Sequence, residues 1–395
     1  MPSFVSLYSG CGGLDLGFLQ AGFLCQHAFE IDKLAVEVHS ANLDSPVTKC
    51  DLSNREDSIL QEVSKADILI AGPPCQGFST AGKNNPNDLR NKHLNNVAKI
   101  AAQAKPKVVL IENVKGLLSS ANRDNFNEVK STLRGAGYSV SWDLHNVADY
   151  GVAQNRKRVL ILAVRSSTPI ELKPKCQPKK TLRDAISDLG PADLGGYESI
   201  SGDTKEYKIV RRIKPGQKLS NVRSGDNYIH TWRIPEVYGS VTESEVVFLE
   251  TIIKLRRQQR RRSFGDADPV SKKNIEKIFG LQAEKLAKNL LEKEYLRDFG
   301  NFIDIANTFN GKFRRLVWDE AAPTVDTRFG QLRHFLHPQE HRGFSVREAA
   351  RIQGFPDDFT FSGSDSAKFR MIGNAVPPRF AKAIAEFIEK AVIEI

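Results

Sequence analysis

The sequence predicts an α/β fold built on a doubly wound, mostly parallel sheet, with a second, smaller domain. Two observations carry this. From Phe4 to Val164, apolar runs of strand length alternate with amphipathic stretches of helix length, the rhythm of successive β–α–β units. Near Pro169 the rhythm stops: Pro174, Pro178 and several lysines mark a boundary, and the residues from about 170 to 325 show no regular alternation. A chain of 395 residues suits two domains better than one.

The first strand is Phe4-Val5-Ser6-Leu7-Tyr8, followed by the tight turn Ser9-Gly10-Cys11-Gly12-Gly13 and a helix starting at Leu14, Phe18 and Leu19. Glycines between a first strand and a first helix let the backbone approach a nucleotide-like ligand. The spacing is not G-x-G-x-x-G, which disfavours a nicotinamide dinucleotide. A second strand, Cys25 to Phe29, ends in Glu30-Ile31-Asp32, and an acid about 20 residues past the first turn suits a pair of ribose hydroxyls. Asp51, after a short third strand, can accept from an adenine amine. Either acid alone is more often a cap or a surface charge; with the glycine turn they favour an adenosine-type cofactor.

The apolar run Ile68-Leu69-Ile70-Ala71 reads as a buried parallel strand, ended by Gly72-Pro73-Pro74, with Cys75 directly after. Open α/β sheets bind ligands at such strand ends, and the prolines give the thiol a rigid mount. Gly77-Phe78-Ser79-Thr80-Ala81-Gly82 has the composition of a moving loop. Taken alone, a thiol here is more often a buried structural cysteine than a nucleophile, so other residues have to carry the functional reading. The strand Lys107 to Ile111 ends in Glu112-Asn113-Val114, bringing a carboxylate to the thiol if the two strands are neighbours. Arg156 and Arg158 alternate ahead of the strand Val159 to Val164, so an extended backbone turns both to one side. A structural ion pair between Glu112 and an arginine is the competing reading.

In the irregular region a helix from about Glu243 runs into Lys254 to Arg262, which holds six cations in nine residues. Such a run is usually a solvated helix face; beside a polyanion it makes phosphate contacts. Ser271 can cap a short helix to Ile278, Gly280 breaks it, Leu281 to Lys293 forms another, and Phe299-Gly300-Asn301-Phe302 makes a hairpin turn. That outlines a helix-turn-helix with a wing at about 265–305, or else an ordinary helical hairpin covering a core.

The formal charge of +10, with pI near 9.3, points to a polyanionic partner, although a dispersed basic surface gives the same total. Five cysteines without paired spacing argue against a disulfide framework or a zinc cage, so no metal is expected. No apolar run reaches membrane-span length and Met1-Pro2-Ser3-Phe4 lacks a signal peptide's charged region, so the expected location is the cytoplasm.

Taken together, these blocks resemble the cytosine-C5 DNA methyltransferases along nearly the whole chain, excepting about 170 to 320. The matches, in the family's order, are Tyr8-Ser9-Gly10-Cys11-Gly12-Gly13, Gly72-Pro73-Pro74-Cys75-Gln76, Glu112-Asn113-Val114, Gln154-x-Arg156-x-Arg158, Arg347 to Pro356, and Gly373-Asn374-Ala375-Val376-Pro377-Pro378. Two departures stand out: Arg90-Asn91-Lys92-His93-Leu94 lacks the family's glycine, and Phe344-Ser345-Val346-Arg347-Glu348 lacks its proline.

The resemblance implies a class I methyltransferase fold, with a target-recognition domain inserted before a C-terminal helix that returns to the catalytic domain. The expected division is 1–168 plus 368–395 for catalysis and cofactor, and 169–367 for target recognition. It implies Cys75 as nucleophile, Glu112 on the target base, and Arg156 and Arg158 lining the pocket. It implies S-adenosyl-L-methionine held by Tyr8 to Gly13, Glu30, Ile31, Asp51, Leu52, Pro74, Asn374 and Ala375. Expected DNA contacts are Ser79, Arg90, Gln154, Arg256, Arg257, Arg260, Arg261 and Thr324, with the strand near Pro323-Thr324-Val325 taking part in base reading. The implied reaction methylates C5 of a cytosine flipped out of a specific duplex sequence, through a Cys75–C6 adduct. The setting is a bacterial, nucleoid-associated monomer on DNA, with a restriction endonuclease as companion. The rivals are an RNA (tRNA) cytosine-C5 methyltransferase and a catalytically silent DNA-binding regulator.

Overall fold

The computed structural model describes residues 1–53, 57–74, 92–260, 267–307 and 309–393. The chain opens with β1 (Ser3–Leu7), α1 (Gly13–Gln20), β2 (Leu24–Glu30), α2 (Lys33–Asn42), β3 (Val47–Lys49), α3 (Asp57–Lys65), β4 (Ile68–Ala71), α4 (Lys92–Ala104), β5 (Val108–Val114), α5 (Arg123–Gly135), β6 (Ser139–Asn146), β7 (Gln154–Asn155) and β8 (Lys157–Val164). Seven strands form one sheet in the order β3-β2-β1-β4-β5-β8-β6. All pairs are parallel except those of β8, which runs antiparallel to both neighbours. Burial on both faces explains the continuous apolar runs. Val5, Leu7, Leu69, Ala71, Val109 and Ile111 pack with Val63, Val97 and Val129 of α3 to α5. The alternate residues Phe4, Ile68, Ile70, Val108 and Leu110 pack with Phe18 of α1 and with Phe380 and Ile384 near the chain's end.

The chain divides into two compact units, the first comprising Met1–Gly196, Trp318–Phe329 and Ser345–Ile395, the second Tyr197–Val317 and Gly330–Phe344. These cuts differ from the expected 168 and 367, for physical reasons. The proline-bearing stretch stays on the sheet: Ser141 Oγ donates to the Ile170 carbonyl at 2.5 Å and Ser139 Oγ to that of Thr168 at 3.0 Å. Beyond it, α6 (Leu182–Ile186) is pinned where its first amides donate to the carbonyls of Glu320 and Trp318, at 2.8 and 2.9 Å.

The second unit contains α7 (Lys205–Val210), β9 (Lys218–Ser220), β10 (Tyr228–Ile229), α8 (Pro235–Tyr238), α9 (Glu243–Gln258), β11 (Val270–Ser271), α10 (Lys272–Phe279), α11 (Gln282–Glu292), β12 (Leu296–Phe299), β13 (Phe302–Ile305), β14 (Asn310–Lys312) and β15 (Arg314–Arg315). It has two cores. One joins Val210, Leu219, Ile234, Leu332 and Leu336; the other joins Phe248, Ile252, Ile275, Leu286, Leu290 and Ile303. Around the latter, β11, β13 and β12 form an antiparallel sheet in that order. A capping box between Thr242 and Glu245 starts α9, and Gly280, with φ +56°, ends α10. Arg256, expected on DNA, is buried and ion-paired with Asp304 of β13. The reason is helical period: Leu249, Ile252, Ile253 and Arg256 share the core-facing side of α9. Arg257 and Arg260 are exposed, and Arg261 lies outside the described residues.

The chain continues through β16 (Ala322–Pro323) and β17 (Phe335–Leu336) to α12 (Val346–Gln353), α13 (Asp365–Asn374) and α14 (Pro378–Ile388). The strand expected to read bases, at 323–325, belongs to the first unit, because β16 pairs in parallel with β7. The α14 helix lies against α1 at Gly17, and the stretch before it at Gly13. A Cβ on Gly13 would sit 2.5 Å from the Val376 oxygen, and one on Gly17 2.3 Å from Ala381 Cβ.

Candidate active site

Strand order reverses between β1 and β4, and the crevice at such a switch point is where α/β sheets hold ligands. The β1 end leads into Tyr8 to Gly13 and the β4 end into Gly72-Pro73-Pro74. Cys75, Ser79 and Arg90 lie outside the described residues, so the site is built from the groups around them.

The condition for Glu112 is met: β4 and β5 are neighbours in register, Ala71 opposite Ile111. A Cβ on Gly72 would lie 4.0 Å from Glu112 Oε2, so the carboxylate sits beside the strand end that leads to Cys75. Because β8 runs antiparallel, its first residues arrive at the same end, and Arg158 Nε lies 2.7 Å from Glu112 Oε1 with both side chains about nine-tenths buried. Asn113 Nδ2 donates to the Pro73 carbonyl at 3.4 Å, bracing the proline mount.

Arg156 is not beside Arg158. The extended run breaks at Arg156, between β7 and β8, because Gln154–Asn155 leaves the main sheet to pair with β16. Its guanidinium is buried and donates to the carbonyls of Val325 (2.9 Å), Gly373 (3.1 and 3.0 Å) and Ala375 (3.2 Å). Gln154, expected on DNA, is fully buried: its amide nitrogen donates to Gln353 Oε1, and its Oε1 accepts from the Val325 amide at 3.0 Å. Gln353 Nε2 donates in turn to the carbonyls of Ile372 and Ala375, at 2.8 and 2.6 Å. Thr324, also expected on DNA, spends its hydroxyl on the Asn155 carbonyl at 2.9 Å. These residues form a polar knot that tethers the stretch Gly373 to Ala375. Buried polar groups need such partners, and the spacing of Gln154, Arg156 and Arg158 says nothing about which carbonyls provide them.

That tethered stretch reaches the glycine turn, for a Cβ on Gly13 would come 3.0 Å from Ala375 Cβ. Asn374 is exposed beside it. Gly10 donates its N–H to Glu30 Oε2 at 2.8 Å, while Glu30 Oε1 accepts from the amides of Ile31 and Asp32, both at 2.9 Å. At Gly10, with φ +57°, a Cβ would meet open space, and the apolar Ile31 side chain is exposed alongside Glu30. An open backbone cradle, a carboxylate and an exposed apolar side chain fit an adenosine-type group. Asp51 is exposed and held by the Ser53 amide at 2.9 Å, which lowers its pKa; Leu52 is buried, and Pro74 is half-buried. Burial, then the Asp51 and Glu30 carboxylates, raises the Tyr8 pKa well above its usual value, so the phenol stays protonated, 3.1 Å from His93 Nδ1. Cys11 is buried behind the turn with its pKa raised to about 12, chiefly by burial, which makes it an inert thiol.

Sequence reasoning missed His93, and it missed a fully buried trio beneath the turn. Ser6 Oγ donates to Asp15 Oδ1 at 2.6 Å, and His39 Nε2 lies 2.9 Å from Asp15 Oδ2. A Cβ on Gly12 would come 2.9 Å from His39 Cδ2, so the turn rests on this imidazole. An acid between Leu14 and Leu16, in an otherwise apolar helix, was the available signal.

With this geometry in place, comparison with known proteins adds the following. The family model for C-5 cytosine-specific DNA methylase matches residues 2–390. Type II methyltransferase M.HgiCII of Herpetosiphon aurantiacus is 30% identical, over 97% of this chain and 95% of that protein. Type II methyltransferase M.AgeI of Thalassovita gelatinovora is 30% identical, over 98% and 99%. Among solved structures, one described as a prophage-encoded DNA modification methyltransferase of E. coli aligns over 100% of both chains, with TM-score 0.63 and 25% identity. The Dnmt2 methyltransferase of S. pombe shares the fold, with TM-score 0.57 at 15% identity over 99% of both chains.

Proposed function

Because the chain belongs to the family of C-5 cytosine-specific DNA methylases, we propose that its switch-point crevice binds S-adenosyl-L-methionine beside a catalytic centre of Cys75, Glu112 and Arg158. The protein is an enzyme that methylates C5 of cytosine in DNA. The observation that carries our assignment of residues is the Arg158–Glu112 pair, set one strand from the end that leads to Cys75.

Cytosine C5 is a weak nucleophile, so the ring must first be activated. In our reading the Cys75 thiolate adds to C6 while Glu112, as the carboxylic acid, gives its proton to N3, making C5 enamine-like, and Arg158 holds that carboxyl group in place. Bound S-adenosyl-L-methionine supplies an electrophilic methyl group to C5. The C5 proton then passes to water, the Cys75 thiolate is expelled, and the N3 proton returns to Glu112, which restores the ring. The target cytosine leaves the duplex for this, since a stacked base hides C6 from the sulfur. Glu30 and Ile31 take the ribose and adenine side of the donor, Asp51 the adenine amine, and Gly10 to Gly13 the close backbone approach. Arg156 serves by holding Gly373 to Ala375 in place rather than by touching the base.

We assign the first unit to catalysis and donor binding and the second to target recognition, in a cytoplasmic protein acting as a monomer within a restriction-modification system. Among the described residues no helix is long and apolar enough to cross a membrane. Bisulfite sequencing of DNA from cells expressing the protein, beside Cys75→Ser, tests the core assignment. Converted target cytosines for the variant, with intact DNA binding, are the expected result; full methylation by Cys75→Ser sinks the mechanism.

A further inference from the structure

The second unit carries a module that the reaction itself does not use. Along the chain it runs α9, β11, α10, α11, β12, β13, with β13 central in the sheet β11-β13-β12. Helix, strand, two helices joined by a tight turn at Gly280, then a hairpin at Gly300 is the connectivity of a winged helix-turn-helix. The module has its own core, and polar ties fix its parts. Lys293 beyond α11 holds Glu245 of α9 at 2.8 Å, and Tyr295 Oη donates to the Gly239 carbonyl at 2.8 Å. Lys272 at the start of α10 holds the wing, its Nζ 2.8 Å from Asp298 and its amide donating to the Asn301 carbonyl at 3.0 Å. Such ties make a rigid mount for α11.

Ala283, Leu286 and Leu290 turn one face of α11 into that core. Leu281, Lys285, Lys288 and Glu292, spaced i, i+4, i+7 and i+11, lie on the opposite side with Glu284, all exposed. None of Glu284, Lys285, Lys288 and Glu292 has a side-chain hydrogen bond or ion pair among the described residues. One of the cations expected to contact phosphate, Arg256, is spent inside the module on Asp304. Acids interleaved with lysines repel a phosphate backbone, but they suit base edges: lysine donates to guanine O6 and N7, a carboxylate accepts from cytosine N4, and an apolar side chain meets the thymine methyl. The B-DNA major groove, about 12 Å wide, admits one such helix.

We propose that α11 enters the major groove of the duplex that the enzyme methylates and that Lys285 and Lys288 determine part of the recognised sequence, with the wing tip around Phe299 resting on the adjacent backbone. This rests on our assignment of the second unit to target recognition. It narrows base reading to one helix face, and of the basic run it leaves Arg256 as scaffold.

The test uses the full-length enzyme and the double variant Lys285→Ala/Lys288→Ala, whose exposed positions leave the core untouched; matched melting curves check this. Affinity is measured for a duplex containing the methylated sequence, found by bisulfite mapping, and for a scrambled duplex at the same salt, with hydroxyl-radical footprints of both proteins. The expected result is a loss of about ten- to a hundredfold on the target, a smaller loss on the scrambled duplex, and a footprint shortened on one side. Equal losses on both duplexes overturn base reading and leave a phosphate contact. Unchanged affinity and footprint overturn the proposal, the more so if sedimentation shows the variant altering self-association. Wild-type enzyme that methylates no DNA would refute the underlying assignment instead, so the two failures are distinguishable.

Discussion

Arg156 separates two accounts of the site, and its replacement by methionine decides between them. If the guanidinium lined the base pocket, its loss would lower kcat and leave stability and donor binding alone. The structure instead spends it on three carbonyls, of Val325, Gly373 and Ala375. In the variant Ala375 keeps a partner, because Gln353 Nε2 also reaches its oxygen at 2.6 Å. The other two are orphaned, and each buried orphan costs about 1–3 kcal/mol, giving roughly 2–6 kcal/mol in all. Relief of the desolvated guanidinium returns part of this, so about 3 kcal/mol is a fair centre. At about 2–4 °C per kcal/mol, Tm falls by roughly 6–12 °C. Gly373 to Ala375 also abuts Gly13, so donor affinity, read by calorimetry well below Tm, weakens by about tenfold or more, the 1.4 kcal/mol equivalent of a modest shift. A variant with wild-type Tm and donor affinity but a collapsed kcat refutes the strut and restores Arg156 to the pocket.

Two further outcomes follow from packing and charge. Gly17→Ala places a methyl 2.3 Å from Ala381 Cβ and 2.6 Å from the Lys382 backbone nitrogen, so urea unfolding should show a loss of about 1–3 kcal/mol; an unchanged midpoint refutes the tight α1–α14 contact. Burial raises the Glu245 pKa, but the Lys293 and Thr242 donors outweigh it and hold the carboxyl below its usual range, so its contribution is fully present above the unfolded value of about 4.3 and is lost as pH falls through the lower folded value. The stability gap between wild type and Glu245→Gln should therefore stay constant from neutral pH to about 5 and close below about 4; a gap that widens on acidification would contradict the pairing.

The parts that were legible in the sequence are those with local causes. Strand ends announced themselves by an apolar run stopped at glycine, proline or an acid, and that is enough to place Glu112 beside the end of β4. Helices α10 and α11 were legible for the same reason, since Gly280 separates them; Ser271 stands at the start of α10 as expected, but its side chain makes no capping hydrogen bond. Arg256 shows how one local signal can hide another: six clustered cations suggested a solvated face, yet the spacing of Leu249, Ile252 and Ile253 already placed it inward. Arg156 and Gln154 had no local signal at all. Their partners lie at Val325, Gln353 and Gly373 to Ala375, and nothing in five residues of strand specifies a carbonyl nearly two hundred positions away. The same distance explains the misplaced domain cuts. Gly13 and Gly17 are glycines because α14 and the stretch before it press on them, and Gln154 and Arg156 are polar because those later segments offer acceptors. The first 168 residues thus carry buried groups, Gln154 and Arg156, that find partners after residue 318, and the later segments Val325, Gln353 and Gly373 to Ala375 complete the catalytic unit by satisfying them.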